Sequence, residues 1–293
     1  ANAGPWIQLA EDVGATIRRI DVDLDSCTID MEDAKRKITS KTKLVAVGYA
    51  SNGSGSINDV AAIINLAKAV GAWTYIDGVQ YAPHGLIDVK ALDCDFLSCS
   101  AYKFYGTHVG ILYGKRALLQ RLRTYTVRPN YHQSPARWET GTKNYEGLAG
   151  TLAAIDYLAE LGVLYGGVTS EASRRAKLAA AWPHIAAYER RLSARLITGL
   201  QSIPAVQVYG VTDPQKLDNR VSTIAFRKAT CSPDKLSEVL GQEQITSRCG
   251  HFLAIDLINR LGLQETGGLN RLGPVHYNTF EEIDHCLEII EQI

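Results

Sequence analysis

The chain has 293 residues, 46% hydrophobic and 21% charged, which is ordinary globular composition and enough for one large domain or two moderate ones. Lysine plus arginine equals aspartate plus glutamate at 31 each, so no whole-molecule charge argues for nucleic acid or an anionic membrane as partner. No apolar run approaches the roughly 18 residues that span a bilayer, and no signal peptide opens the chain. The six cysteines, Cys27, Cys94, Cys99, Cys231, Cys249 and Cys286, lack CxxC or zinc-finger spacing. They read as reduced thiols of a cytoplasmic protein, with no metal site.

Residues 1–14 read as a helix, with Pro5 in its first turn and Gly14 at its end. Residues 15–23 form a short alternating strand, and residues 30–39 a helix capped by Asp30 with acids in its first turn. A buried strand at 42–51 precedes a helix at 57–71 with a glycine stop. Strands follow at 72–84 and 95–103, then a strand running into a basic helix over 110–122. Strands alternating with helices predict an α/β fold, a mainly parallel sheet covered on both faces. From 142 the chain turns helical, with a long helix over 170–203 that Pro183 breaks or kinks. Beyond it, strands at 205–210, 220–229, 245–250 and 267–279 mix with helices at 232–243 and 251–263, and a capping box at Thr279 opens a final amphipathic helix. These elements divide the chain into a large domain over 1–165, connecting helices over 166–200 and a smaller C-terminal α+β domain over 201–293.

In parallel sheets ligands sit beyond the carboxyl ends of the strands. Asn52, Asp77, Gln80, Ser100 and Lys103 all fall at or just after those ends. A lysine amine at a dry strand end can lose its proton near neutral pH and attack a carbonyl. Pyridoxal phosphate needs such a lysine, plus a carboxylate that keeps the ring nitrogen protonated so that the ring withdraws electrons. Spacing alone favours a plain Lys103–Asp77 ion pair at a strand edge.

The stretch "YIDGVQYAPHGLIDVKALDCDFLSCSAYKFYGTHVGILYGK", residues 75–115, resembles the active-site region of the class V aminotransferase group, in its cysteine desulfurase and selenocysteine lyase branch. The resemblance continues through "RWETGTKN" to "VHYNTFEEID" and covers essentially the whole chain. It implies a fold-type-I, pyridoxal 5'-phosphate-dependent enzyme acting on a small amino acid, and a homodimer with active sites at the subunit interface. It makes Lys103 the Schiff-base lysine, Asp77 the partner of the pyridinium nitrogen and Gln80 a donor to the phenolic oxygen. Asn52 falls beside the ring and substrate, Ser100 and Tyr102 at the phosphate, and Thr142 at the phosphate of the other subunit. Tyr102 stands where the family usually has histidine and brings no positive charge. Arg271 takes the position that holds the substrate carboxylate, which its planar fork suits.

Other residues read as ordinary. His84, in a "PH" turn, is expected to be structural, and Cys94 and Cys99 small core residues. Two departures bear on function. The branch's sulfur-accepting cysteine aligns with Leu253, in "SRCGHFLAI", and Cys249 lies four positions earlier. The family's phosphate-binding loop and ring-stacking histidine would precede Ala1, so an N-terminally incomplete large domain is expected. The reaction stays open among bond cleavage without a cysteine acceptor, epimerisation and transamination. A catalytically silent interaction subunit is the rival.

Overall fold

The computed structural model describes residues 3–125, 135–139 and 141–293. Helix α1 (Gly4–Val13) opens the described chain, followed by α2 (Met31–Lys37), where the Asp30 carboxylate accepts from the amides of Glu32 and Asp33. Then β1 (Leu44–Gly48), α3 (Val60–Ala69), β2 (Trp73–Asp77), the single turn α4 (Val89–Leu92) and β3 (Phe96–Ser100) alternate. A 3-10 turn, Ala101–Phe104, leads to β4 (Gly110–Gly114) and α5 (Arg116–Arg121). Strands β1, β2 and β3 pair in parallel and β4 antiparallel, in the order β1-β2-β3-β4. Val45, Val47, Ile63, Ile64 and Ile76 seal α3 onto this sheet, each at most 5% exposed. Each such aliphatic stabilises by about 1.5–3 kcal/mol.

Two long helices follow, α6 (Tyr145–Tyr165) and α7 (Arg174–Ser202). They pack so closely that a Cβ on Gly162 would lie 2.0 Å from the Lys177 carbonyl oxygen. Strands β5 (Val206–Tyr209) and β6 (Ile224–Lys228) then precede α8 (Pro233–Gln242), β7 (Arg248–Gly250), α9 (Ile255–Arg260), β8 (Leu269–Leu272) and α10 (Phe280–Gln292). This second sheet is antiparallel, in the order β5-β6-β8-β7. Its core interleaves Leu192, Leu196 and Leu200 of α7 with Ile224 and Phe226 of β6, Leu236 and Leu240 of α8 and Ile290 of α10. Thr279 and Glu282 form the capping box that starts α10.

Three expectations change. Residues 15–23 form no strand, only an isolated Val22–Ile29 bridge, because the backbone is taken up by a local turn in which Asp23 N donates to Thr28 O and Asp30 N to Asp21 O. Helix α7 runs unbroken through Pro183. Buried Trp182 and Ile185 hold it there, which offsets the hydrogen bond that proline forfeits. By length and composition α6 could cross a membrane: it has 21 residues, reaches a mean hydropathy of 1.4 and lies along α7, with Asp156 and Glu160 interrupting its apolar run.

Candidate active site

The carboxyl ends of β1, β2 and β3 carry, in turn, Asn52, the Asp77–Gln80 turn and Ser100 with Lys103. Lys103 sits in the 3-10 turn directly after β3, and Tyr105, left-handed at φ 71°, reverses the chain behind it. The second sheet faces this edge. Between them lies a cleft of about 270 Å³, lined among others by Gln80, His84, Lys103, Tyr105, Arg248 and Arg271. Among the described residues no acidic side chain lines it.

Lys103 is half-buried, and burial, followed by the charges of Arg271 and Arg248, holds its amine below the usual lysine range. Among the described residues no carboxylate comes within ion-pair distance of it. The simple Lys103–Asp77 ion pair is therefore not formed. An amine in that state carries an available lone pair more often than an exposed lysine does. Asp77 instead accepts from the Val79 amide at 3.0 Å, and its charge adds to burial in pushing the Cys99 thiol up.

Arg271 reaches across from β8. Its Nη1 donates to the Asn52 carbonyl oxygen at 2.6 Å, and its guanidinium lies 4.6 Å from the centre of the Phe252 ring. Burial and the Arg248 charge lower its pKa, and no carboxylate pairs with it among the described residues. Arg248 is its register partner on β7, so two guanidinium groups enter from adjacent strands. Gln80 Nε2 donates to Thr223 Oγ1 at 2.8 Å, and Asn52 Nδ2 to the Phe252 carbonyl oxygen at 2.7 Å. These bonds tie the first sheet's edge to the second.

The structure thus brings Lys103, Gln80 and Arg271 to one cleft, while Asn52, Asp77, Ser100, Tyr102 and Thr142 do not line it. Ser100 ends β3. Tyr102 is 47% exposed and stacks on His108, with Lys103 Nζ 5.4 Å from its ring centre. Thr142 is exposed just ahead of α6. Leu253 is 71% exposed at φ 62°, on the loop after β7. Cys249 points to Asp234, donating from Sγ to Oδ1 at 3.1 Å, while burial pushes its thiol up.

Two groups went unassigned in the sequence. Arg248 is one, because its pairing with β8 is invisible before the sheet forms. Glu189, within a long charged helix, is buried and meets His84 Nδ1 at 2.7 Å. A glutamate spaced in line with Ile185, Leu192 and Leu196 on the apolar face of α7 was the one available signal.

The donor set fits pyridoxal phosphate: an amine with no carboxylate partner among the described residues, a separate carboxylate at the end of the neighbouring strand, and a cleft wall of cations suited to anionic groups. Comparison with known proteins agrees. The class-V aminotransferase family pattern matches residues 1–286. A cysteine desulfurase of Synechococcus elongatus is 32% identical over 305 residues, covering 100% of this chain and 44% of the relative. A cysteine desulfurase of Escherichia coli O9:H4 is 33% identical over 306 residues, covering 100% of this chain and 68% of the relative. The chain therefore spans less than half the length of the first relative and about two thirds of the second. Among solved structures, the apo cysteine desulfurase of Thermococcus onnurineus NA1 aligns with a TM-score of 0.81 at 27% identity, covering 98% of this chain and 68% of that one. The E. coli cysteine desulfurase CsdA gives 0.81 at 25% identity, covering 99% and 68%. Sheet, cleft and sequence together make this chain a member of the class-V aminotransferase family, a pyridoxal phosphate-dependent family of fold type I, in its cysteine desulfurase-like branch.

Proposed function

We propose that the protein is a pyridoxal phosphate-dependent enzyme that acts on a small amino acid, with Lys103 as the covalent anchor of the cofactor. The observation that carries this reading is the half-buried Lys103 amine, lowered in pKa and free of any carboxylate, in a cleft that Arg271 enters from the other sheet. When bound, the cofactor supplies an electron-withdrawing ring that acidifies the substrate's Cα–H. In our reading Asp77 would partner the ring nitrogen, Gln80 would donate to the phenolic oxygen, Asn52 would lie beside the ring and substrate, Ser100 and Tyr102 would hold the phosphate, and Thr142 would reach the phosphate of the other subunit. Arg271 holds the substrate carboxylate with two parallel N–H donors, which orients the Cα–H toward Lys103. Lys103 would take and return the proton at that Cα as general base and acid.

The sulfur chemistry of the desulfurase relatives does not transfer directly. Leu253 stands at the aligned cysteine position and cannot accept sulfur, and the Cys249 thiol is turned toward Asp234. This favours cleavage without a cysteine acceptor, or epimerisation or transamination of the same class of substrate. We further propose a large domain over 1–165, connecting helices over 166–200 and a small domain over 201–293. Tyr145, Leu148 and Leu152 expose an apolar stripe on α6, and this supports a homodimer. The six free cysteines suit a reducing compartment such as the cytoplasm.

Borohydride reduction of the cofactor-loaded protein followed by peptide mapping tests the anchor. A pyridoxyl adduct on Lys103 is expected, with an absorption band at roughly 410–430 nm before reduction. A protein with no adduct at Lys103 and no such band would be the silent interaction subunit.

A further inference from the structure

We propose that His84 is a second acid–base residue of the Lys103 cleft and that Glu189 is its positioning residue. The inference rests on the functional reading above. His84 lies in the turn after β2 and Glu189 in the middle of α7, 105 residues apart in sequence. His84 Nδ1 is 2.7 Å from Glu189 Oε2, and the two side chains are only 8% and 4% exposed. A buried carboxylate can only accept, so the ring proton sits on Nδ1. That leaves Nε2 as a bare lone pair, and it has no hydrogen-bond partner among the described residues. His84 lines both the Lys103 cleft and a second cavity of about 330 Å³. A histidine fixed through one nitrogen by a carboxylate, with the other nitrogen free at a cleft, is the arrangement of a general base with its orienting group.

The surrounding groups decide which histidine takes the charge. His276 approaches the other oxygen, Glu189 Oε1, at 3.9 Å, but among the described residues that oxygen has no hydrogen-bond partner. His276 Nδ1 is 3.3 Å from the Tyr105 hydroxyl and Nε2 is 2.6 Å from that of Tyr157. Burial lowers its pKa, against the opposing pull of the Glu189 charge. Ser222 Oγ lies 3.5 Å from His84 Nδ1 and 3.4 Å from Glu189 Oε2. Lys103, Arg248 and Arg271 across the cleft oppose a further positive charge, and Glu189 offsets it. In the rear cavity Arg220 and the Arg190–Asp218 pair complete the charged surroundings.

The step assigned to His84 is a proton transfer. An amino acid arrives as its ammonium, which has no lone pair with which to attack carbon. An ammonium N–H bond breaks, its electron pair stays on nitrogen, and the proton passes to His84 Nε2. The imidazolium faces the Glu189 carboxylate until the proton returns to the departing amine or to water.

Two measurements test this. In histidine-15N-labelled full chain without added cofactor, two-bond 1H–15N NMR at pH 8 is expected to find one ring protonated at Nδ1 and bare at Nε2. It is assigned by its disappearance in His84→Gln, and the tautomer is lost in Glu189→Ala. In cofactor-loaded protein, the spectral change on adding L-alanine is expected to slow by about 100-fold in His84→Gln and to lose its rise with pH. Glu189→Gln, which keeps the shape but can donate its amide to Nδ1, is expected to turn the ring to the Nε2-protonated tautomer and to slow the same spectral change. A ring protonated at Nε2, or a pH profile unchanged in His84→Gln, overturns the proposal. Absence of an adduct at Lys103 would instead fail the functional reading, and the tautomer would still report on the Glu189–His84 pair.

Discussion

Two arginines, one buried between the sheets and one part-buried in the cleft, are treated in opposite ways. Arg220, 6% exposed, spreads its guanidinium over the carbonyl oxygens of Val211, Ser54 and Thr223. Burial still lowers its pKa to about 10, yet its donors are used up. The junction around it is tight: Gly55 has φ 82°, and a Cβ there would lie 2.0 Å from the Thr223 oxygen. Arg271 gives one bond to the Asn52 carbonyl, stacks on Phe252 and keeps the rest of its fork toward the cleft. A cation whose donors are consumed by the backbone holds structure together. One with donors to spare, beside Arg248 and a depressed lysine, is prepared for an anionic ligand.

That contrast can be broken at either end, and the largest effect is expected in the cleft. Arg271→Met is expected to lower kcat/KM for an amino-acid substrate by about 100-fold or more, since two charge-assisted bonds to a carboxylate are lost. Its urea midpoint should stay near that of the parent; a large fall in stability with little change in kcat/KM would make Arg271 a second structural clamp. Arg220→Met should do the reverse. Leaving three buried carbonyl oxygens without donors costs about 3 kcal/mol, read as a lower urea midpoint at unchanged m-value. The smallest effect belongs to Lys103→Met in the cofactor-free protein. The folded amine has a pKa below its ordinary 10.5, so the folded state binds fewer protons than the unfolded state between those two values. The parent should therefore gain stability as pH rises through that window, and the variant should lose that gain while being no less stable at pH 7. Thermal melts at pH 7 and pH 10 check the sign; a variant clearly less stable at pH 7 would mean the ammonium has a partner.

Much of the scaffold was legible because its causes are local. The Asp30 and Thr279 caps, the apolar strand β1 and the periodicity of α3 each follow from neighbours a few residues apart. Residues 15–23 alternate like a strand but found no partner strand, and Pro183 sits inside a helix that tertiary burial keeps intact. Both failures have one source, since pairing and burial are supplied by distant chain.

By itself, then, the sequence determined the alternation of strands and helices, the strand ends where Asn52, Asp77, Gln80, Ser100 and Lys103 stand, and the family pattern that joins them to Arg271. Only the tertiary structure decided that Lys103 faces arginines rather than a carboxylate, that Arg248 stands beside Arg271, and that Glu189 grips His84. The reason is the range of the forces involved. Backbone propensity and capping act within a few residues, whereas desolvation and charge act through space between segments that only folding brings together.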